Sequence, residues 1–461
     1  MHTPDRPLLE TLLEIPQINH TMEPDIDILA LGNDHYLWSI GFVVLSLLLS
    51  LWPINYIKDK KDYLFFVPLA AFLAGSLHSV RIGIDLGTIF LICAGLYAIW
   101  KRRVYRPRRY MWFLAAYFVC MALSLLWSQD VYQGLHILRR SLPLVTFSVG
   151  WCMFELTQEQ WERLLLVFFR ASLLFIVFSI GTTIYLSIAG DFNWWDFIGV
   201  RKHPVNGLTQ VYKMVYSWLP YNHPSYNAYG LLTGMICGQY LLRAKRISIA
   251  EAAFYAVSLF LLLIISQSRI GIVMFAITIP VAAVAFIRSP KWRKRYNYAV
   301  GAMLIIALLG WVQINSVFSL DHAREHIYHA TVGFIQEHPV LGVGIGSMEQ
   351  TLHQDALCLH SEYANPHNQL LGDWLQGGLP CLLAMLALMG YLIYYAVRYR
   401  NLELLLFVVC TLLFMQIEMT LDIIKGVTTF VAFVHLFAHK PNDRYNRKYA
   451  SICCSQEKEV A

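Results

Sequence analysis

The chain is 461 residues long, 57% of them hydrophobic and 14% aromatic, with only 14% charged and a formal net charge of +6. That apolar content excludes an ordinary soluble globular protein of this size, and so few charges do not make a nucleic-acid binder. The sequence reads as an integral membrane protein.

Residues 1–35 form an acidic extension in which Arg6 is the only lysine or arginine. The first apolar run starts too late, and lacks the basic leader, for a cleavable signal peptide. Apolar runs of about 17 to 25 residues cross a hydrocarbon layer of about 30 Å as helices. They are read at 36–54, 63–79, 84–100, 110–127, 141–156, 164–189, 225–242, 251–267, 270–287, 297–314, 368–397, 402–420 and 424–438. The second, fifth and last are short, so the expected fold class is all-α, polytopic in the membrane, with about 12 or 13 transmembrane helices.

Lysine and arginine set the orientation, because cationic loops stay on the cytoplasmic side. Alternating the runs places "KDKKD", "KRRVYRPRR", "RAKR", "RSPKWRKR", "RYR" and the tail 439–461 together. That side holds 25 of the 36 basic residues and the opposite side 10, with Arg170 inside a helix. The organisation is then an outer N-terminal extension (1–35), ten helices within 36–314, a large outer loop (315–367), the C-terminal helices (368–438) and a cytoplasmic tail.

Two outer segments are too long to be plain connections, 190–224 and 315–367, and long loops in compact proteins tend to carry function. Within the second, "HAREHIYHATVGFIQEH" has the spacing of an amphipathic helix lying on the membrane surface. "GVGIGS" (342–347) is spaced GxGxG rather than GxGxxG and has no strand-helix unit around it. It reads as a turn allowing close backbone approach, not as a nucleotide loop. His353, His360 and His367 recur every seven residues, but Pro366 breaks any helix joining them and no ligand set completes a metal site. No cofactor is expected. Of nine cysteines, six lie in apolar runs and only Cys358 in an outer loop, which argues against disulfides.

The polar residues at the outer boundary carry the functional signal. Arg269, in "SQSRIGIVMF", stands between two apolar runs, where charge is costly unless it is paired or useful. Arg201, Arg324, Arg139 and Arg140 fall on the same side, and guanidinium groups gathered there suit a phosphate or diphosphate. His367, in "YANPHNQLLGDWLQGGLP", is the proton-transfer candidate closest to them in topology, with a helix-capping role as the alternative.

The order "SQSRIG", then "HAREHIYHATVGFIQEHPVLGVGIGS", then "NPHNQLLGDWLQGGLPCLL" resembles the O-antigen ligase and polymerase superfamily, bacterial membrane glycosyltransferases. "YNHPSYNAYGLL" and "LSLLWSQDVYQGL" resemble two further family segments, so the likeness covers roughly residues 110–440. It implies a GT-C-like helical architecture in the inner membrane with a periplasmic active site. It implies that Arg201 and Arg269 hold the diphosphate of an undecaprenyl diphosphate-linked glycan, with Arg324 structural or phosphate-directed. It also implies that His367 is the general base, with Asn368 and His223 supporting it. The acceptor is a lipid A-core for a ligase, or another lipid-linked repeat unit for a polymerase. No metal and no nucleic acid take part, and lipids surround the chain. A transporter is the reading from another class; it calls for paired charges at the bilayer midplane and an internal repeat, neither of which the sequence displays. Thirteen helices and the N-terminal extension depart from the family pattern of twelve.

Overall fold

The computed structural model describes residues 63–77, 80–101, 107–153, 155–189, 224–266, 268–283, 322–355 and 365–441, with scattered positions between 289 and 302. All regular structure there is helical. In chain order the helices are α1 (Tyr63–Gly75), α2 (Val80–Lys101), α3 (Arg109–Ser124), α4 (Val131–Ser141), α5 (Pro143–Trp151), α6 (Gln158–Ala189) and α7 (Pro224–Arg243). They continue with α8 (Ile249–Ile265), α9 (Arg269–Ala283), α10 (His322–Glu337), α11 (Met348–Leu352), α12 (Gln369–Tyr399), α13 (Leu402–Met415) and α14 (Ile424–Ala438). The expected runs at 36–54 and 297–314 lie wholly or largely outside the described residues.

Among the described residues, three helices are long and apolar enough to cross a membrane: Arg109–Trp127, Gln158–Gly181 and Gln369–Tyr399. Five shorter apolar helices accompany them. The outer faces of α2 and α12 stay apolar although exposed, at Ile89, Ile92, Leu96 and Ile99 and at Leu379, Leu383, Leu386 and Val397. Steps of three and four residues, and of eleven from Leu386 to Val397, which is three full turns, put each set on one stripe, a surface suited to lipid rather than water. These are the helices of a membrane protein.

At the centre is α14, every residue of which is buried. A helix apolar on all sides is enclosed by others, and α14 packs against α2, α5, α7 and α13. Aromatic stacks knit this core: Tyr229 lies parallel to Phe414 with ring centroids 4.9 Å apart, and Phe168 meets Phe433 at 4.4 Å. The expected run 141–156 is not one helix. Leu142 closes α4, Pro143 opens α5, and nine residues of α5 rise only about 14 Å. By contrast α6 begins at Gln158 rather than 164. Thr157 and Gln160 cap it reciprocally, Thr157 N donating to Gln160 Oε1 (3.0 Å) and Gln160 N to Thr157 Oγ1 (3.2 Å). Hydropathy passes over such polar first turns.

Charged residues lock one end of the bundle. Arg108 donates to the Ala438 carbonyl and to Tyr395 Oη (3.3 Å); Glu403 pairs with Arg243 and with Lys440 Nζ (2.9 Å); Glu162 pairs with Arg246 Nε at 2.6 Å. Every cation in this set comes from the segments assigned to the basic side by charge counting. The polar entrance of α12 lies at the opposite end.

Candidate active site

The entrance to α12 is built residue by residue from "NPHNQ". Asn365 Oδ1 accepts from the His367 backbone N at 2.7 Å, a turn closed over Pro366. That turn holds His367 at φ +45°, left-handed backbone that a side-chain-bearing residue seldom adopts and that recurs at functional sites. Asn368 is extended and caps the helix, its Oδ1 accepting from Leu370 N (3.0 Å) and Leu371 N (3.2 Å). The cap is therefore the asparagine, and the histidine is left over for something else. Its ring is a quarter exposed, and its Nδ1 is buried, without a hydrogen bond, 3.7 Å from Glu418 Oε2.

Below the entrance, Gln369, Asp373 and Gln376 project from one face of α12 at helical spacing. Gln369 Nε2 donates to Asp373 Oδ1 (2.8 Å) and Asp422 Oδ1 (3.3 Å), Gln376 Nε2 to Asp422 Oδ2 (2.9 Å), and Tyr117 Oη to Asp373 Oδ1 (2.7 Å). Gln369 Oε1 in turn accepts from Leu421 N at 2.7 Å. Burial pushes the Asp422 carboxyl above its ordinary range, opposed by the Gln376 and Gln369 amides and by the Arg140 charge. The network ties the α13–α14 connection to the start of α12.

Gly378 breaks α12 with φ +67° and ψ −165°, a conformation essentially confined to glycine, and Pro380 follows. The broken turn frees backbone groups, and the glycine-rich loop satisfies them. Val343 N donates to Leu375 O (2.7 Å), Gly344 N to Gln376 O (2.8 Å), and Leu379 N to Val340 O (3.0 Å). Gly342, Gly344 and Gly346 all have positive φ, and a Cβ on any of them would lie within 3 Å of neighbouring backbone. "GVGIGS" is thus a docking loop that allows close backbone approach, as its sequence implies. "WSQD" packs on the same loop: Ser347 Oγ accepts from Gln129 N (2.7 Å), and Trp127 Nε1 donates to Leu341 O (3.0 Å). Helix α10 docks beside it. Its apolar stripe, Ile327, Ala330 and Ile335, packs with Leu371, Trp374 and Leu375 of α12, so this face meets protein where the sequence suggested a membrane surface.

Residues 254–386 match the O-antigen ligase family model. No curated protein matches the chain. The matched segment contains Arg269, Arg324, His367 and Asn368, together with the glycine loop and the kink of α12. It ends before Glu418, Asp422 and Lys425.

The expected site residues are distributed as follows. His367 and Asn368 are adjacent at the entrance of α12, in contact with the α13–α14 connection, where Asn368 Nδ2 donates to Gln416 at 3.4 Å. Arg269 is exposed and opens α9. Packing joins its helix end to the entrance stepwise. Gly271 abuts Ala228, the neighbouring Asn227 Oδ1 accepts from Lys425 Nζ at 2.6 Å, and Tyr226 Oη donates to Met419 O at 3.1 Å, next to Glu418. Arg324 lies in the first turn of α10. Arg201 and His223 lie outside the described residues.

The sequence reading missed Asn365, Glu418, Asp422 and the buried Lys425. Three of these are charges in or between the last two apolar runs. Charge at that depth is the same signal that singled out Arg269.

Proposed function

We propose that the protein transfers a glycan from undecaprenyl diphosphate to an acceptor hydroxyl at the periplasmic face of the bacterial inner membrane, as an O-antigen ligase whose acceptor is lipid A-core. The observation carrying this reading is His367. It is held in left-handed backbone by a turn of its own, is excluded from capping by Asn368, and has a buried ring nitrogen aimed at a carboxylate, all at the end of the bundle opposite the cationic lock. In the reaction, His367 takes the proton of the acceptor hydroxyl as that oxygen forms its bond to the anomeric carbon. The bond from that carbon to the diphosphate oxygen breaks, and undecaprenyl diphosphate leaves with the electron pair. The proton passes from the imidazolium to water. Displacement is direct, so the anomeric centre inverts.

Arg269, with Arg201, supplies positive charge to the departing diphosphate, and Arg324, in the first turn of α10, has a structural or phosphate-directed role. Preorganised cations in a partly dehydrated site contribute several kcal/mol to such a transition state. The chain uses no metal or other cofactor on this route.

The test is the surface-glycan profile of a deletion strain, with and without the restored protein. Loss of capped core with lipid-linked polymer retained supports ligation. Core bearing a single repeat means that the acceptor is a lipid-linked repeat unit and the protein a polymerase, and loss of surface polymer with the glycan trapped on the cytoplasmic side would make it a transporter.

A further inference from the structure

Glu418 has no role in the reaction as described, and its surroundings give it one. Its residue is 5% exposed, in the connection between α13 and α14. This connection is fixed from several sides. Glu418 N donates to Phe414 O (3.1 Å), Thr420 N donates to Glu418 O (3.0 Å), and Tyr226 Oη donates to Met419 O. Met419 fills the space beside Gly372, where a Cβ would meet its Cε at 2.3 Å, and Leu421 N is held by Gln369. A carboxylate is thereby presented to the entrance of α12 on rigid backbone. The cationisable group that this carboxylate faces on α12 is His367, whose Nδ1 lies 3.7 Å from Glu418 Oε2.

The other half of the pair is equally constrained. The φ of +45° at His367, the turn through Asn365 and the Asn368 cap fix the direction in which the imidazole leaves the backbone. Its Nδ1 is the buried nitrogen, 3.7 Å from Glu418 Oε2, too long for a hydrogen bond by under an ångström. Catalytic hydrogen bonds are often long before substrate binds. A carboxylate at Nδ1 selects the tautomer with the proton there, leaving the Nε2 lone pair to accept the proton of an acceptor hydroxyl.

We propose that Glu418 is the positioning residue of the transfer reaction: it receives the Nδ1–H of His367, fixes the tautomer in which Nε2 acts as base, and stabilises the imidazolium after proton transfer. The inference rests on the reading of His367 as the base. Among the described residues, the charged and titratable groups packed about the pair include Tyr226 from α7 and Asp422 in the same connection, with Arg140 of α4 acting on Asp422.

The experiment compares wild type with Glu418→Gln and Glu418→Asp as full-length proteins in lipid nanodiscs. Transfer from an undecaprenyl diphosphate-linked glycan is measured on each. Glu418→Gln, in which a neutral amide replaces the carboxylate, is expected to cut kcat roughly ten- to a hundredfold with KM nearly unchanged. Glu418→Asp is expected to restore most of kcat. An unchanged kcat in Glu418→Gln overturns the proposal, and so does a loss of kcat that Glu418→Asp fails to relieve or that comes with an equal rise in KM. If Glu418→Gln loses kcat while His367→Asn still transfers glycan, Glu418 acts other than through His367. The base assignment then fails, and the positioning role with it.

Discussion

Replacing Gly378 by alanine tests whether the break in α12 and the glycine loop form one unit. The alanine Cβ would lie 2.1 Å from Val340 O, on a residue whose φ of +67° and ψ of −165° disfavour any side chain. The backbone strain alone costs about 1–3 kcal/mol. Relieving the clash moves residues 340–344 away, and the three hydrogen bonds that dock the loop on Leu375, Gln376 and Leu379 are worth about 1 kcal/mol each. The expected loss is therefore about 4–6 kcal/mol, a fall of several degrees or more in the melting temperature of the detergent-solubilised protein. Gly390→Ala is the control within the same helix. A Cβ there meets nothing within 4 Å, and alanine favours the helix by up to about 1 kcal/mol, so this variant should match or exceed wild type. Thermal unfolding followed by tryptophan fluorescence reads both. Equal melting temperatures for the two variants would refute the docked kink.

Three other outcomes are expected. Asn368→Ala removes the cap of α12 and costs about 1 kcal/mol in stability, seen as faster hydrogen exchange at Leu370 and Leu371 than elsewhere in the helix. Arg269→Ala lowers kcat/KM for the lipid-linked donor about a hundredfold, and Arg269→Lys recovers only part, because a point charge does not replace a planar fork. His439 just past α14 is held well below the usual imidazole range by burial and, next, by the Arg108 charge. Its folded state therefore binds fewer protons than the unfolded chain, so its contribution is full above about pH 6.5 and is lost as pH falls below that value. His439→Asn should flatten the decline of melting temperature with pH between about 6.5 and 5.

Much of the fold was legible because each element rests on a local signal. The apolar runs gave the helices, and the lysines and arginines marked the end where Arg108 hydrogen-bonds the Ala438 carbonyl and Arg243, Arg246 and Lys440 make their ion pairs. "GVGIGS" announced close backbone contact, although its partner, the broken turn at Gly378, lies more than thirty residues away and left no trace in the loop itself. The division of α4 from α5 was less visible, since Pro143 is compatible with a helix start as well as a bend. At the site, "PHN" identified the histidine and the asparagine but not which of them caps the helix. That choice depends on the turn made by Asn365. Glu418 and Lys425 lay hidden for another reason: each sits near one end of an apolar run, and only the packing of α13 and α14 against α7 and α12 shows that they face inward.

The central claim is that His367 removes the acceptor proton. Its most direct test is single-turnover transfer in proteoliposomes carrying an undecaprenyl diphosphate-linked glycan and lipid A-core, with wild type and His367→Asn compared. Asparagine tolerates left-handed backbone better than most residues, so the entrance of α12 is preserved while the base is lost. The account predicts a transfer rate at least a hundredfold lower with donor binding unchanged. A His367→Asn protein that transfers glycan at the wild-type rate would contradict it.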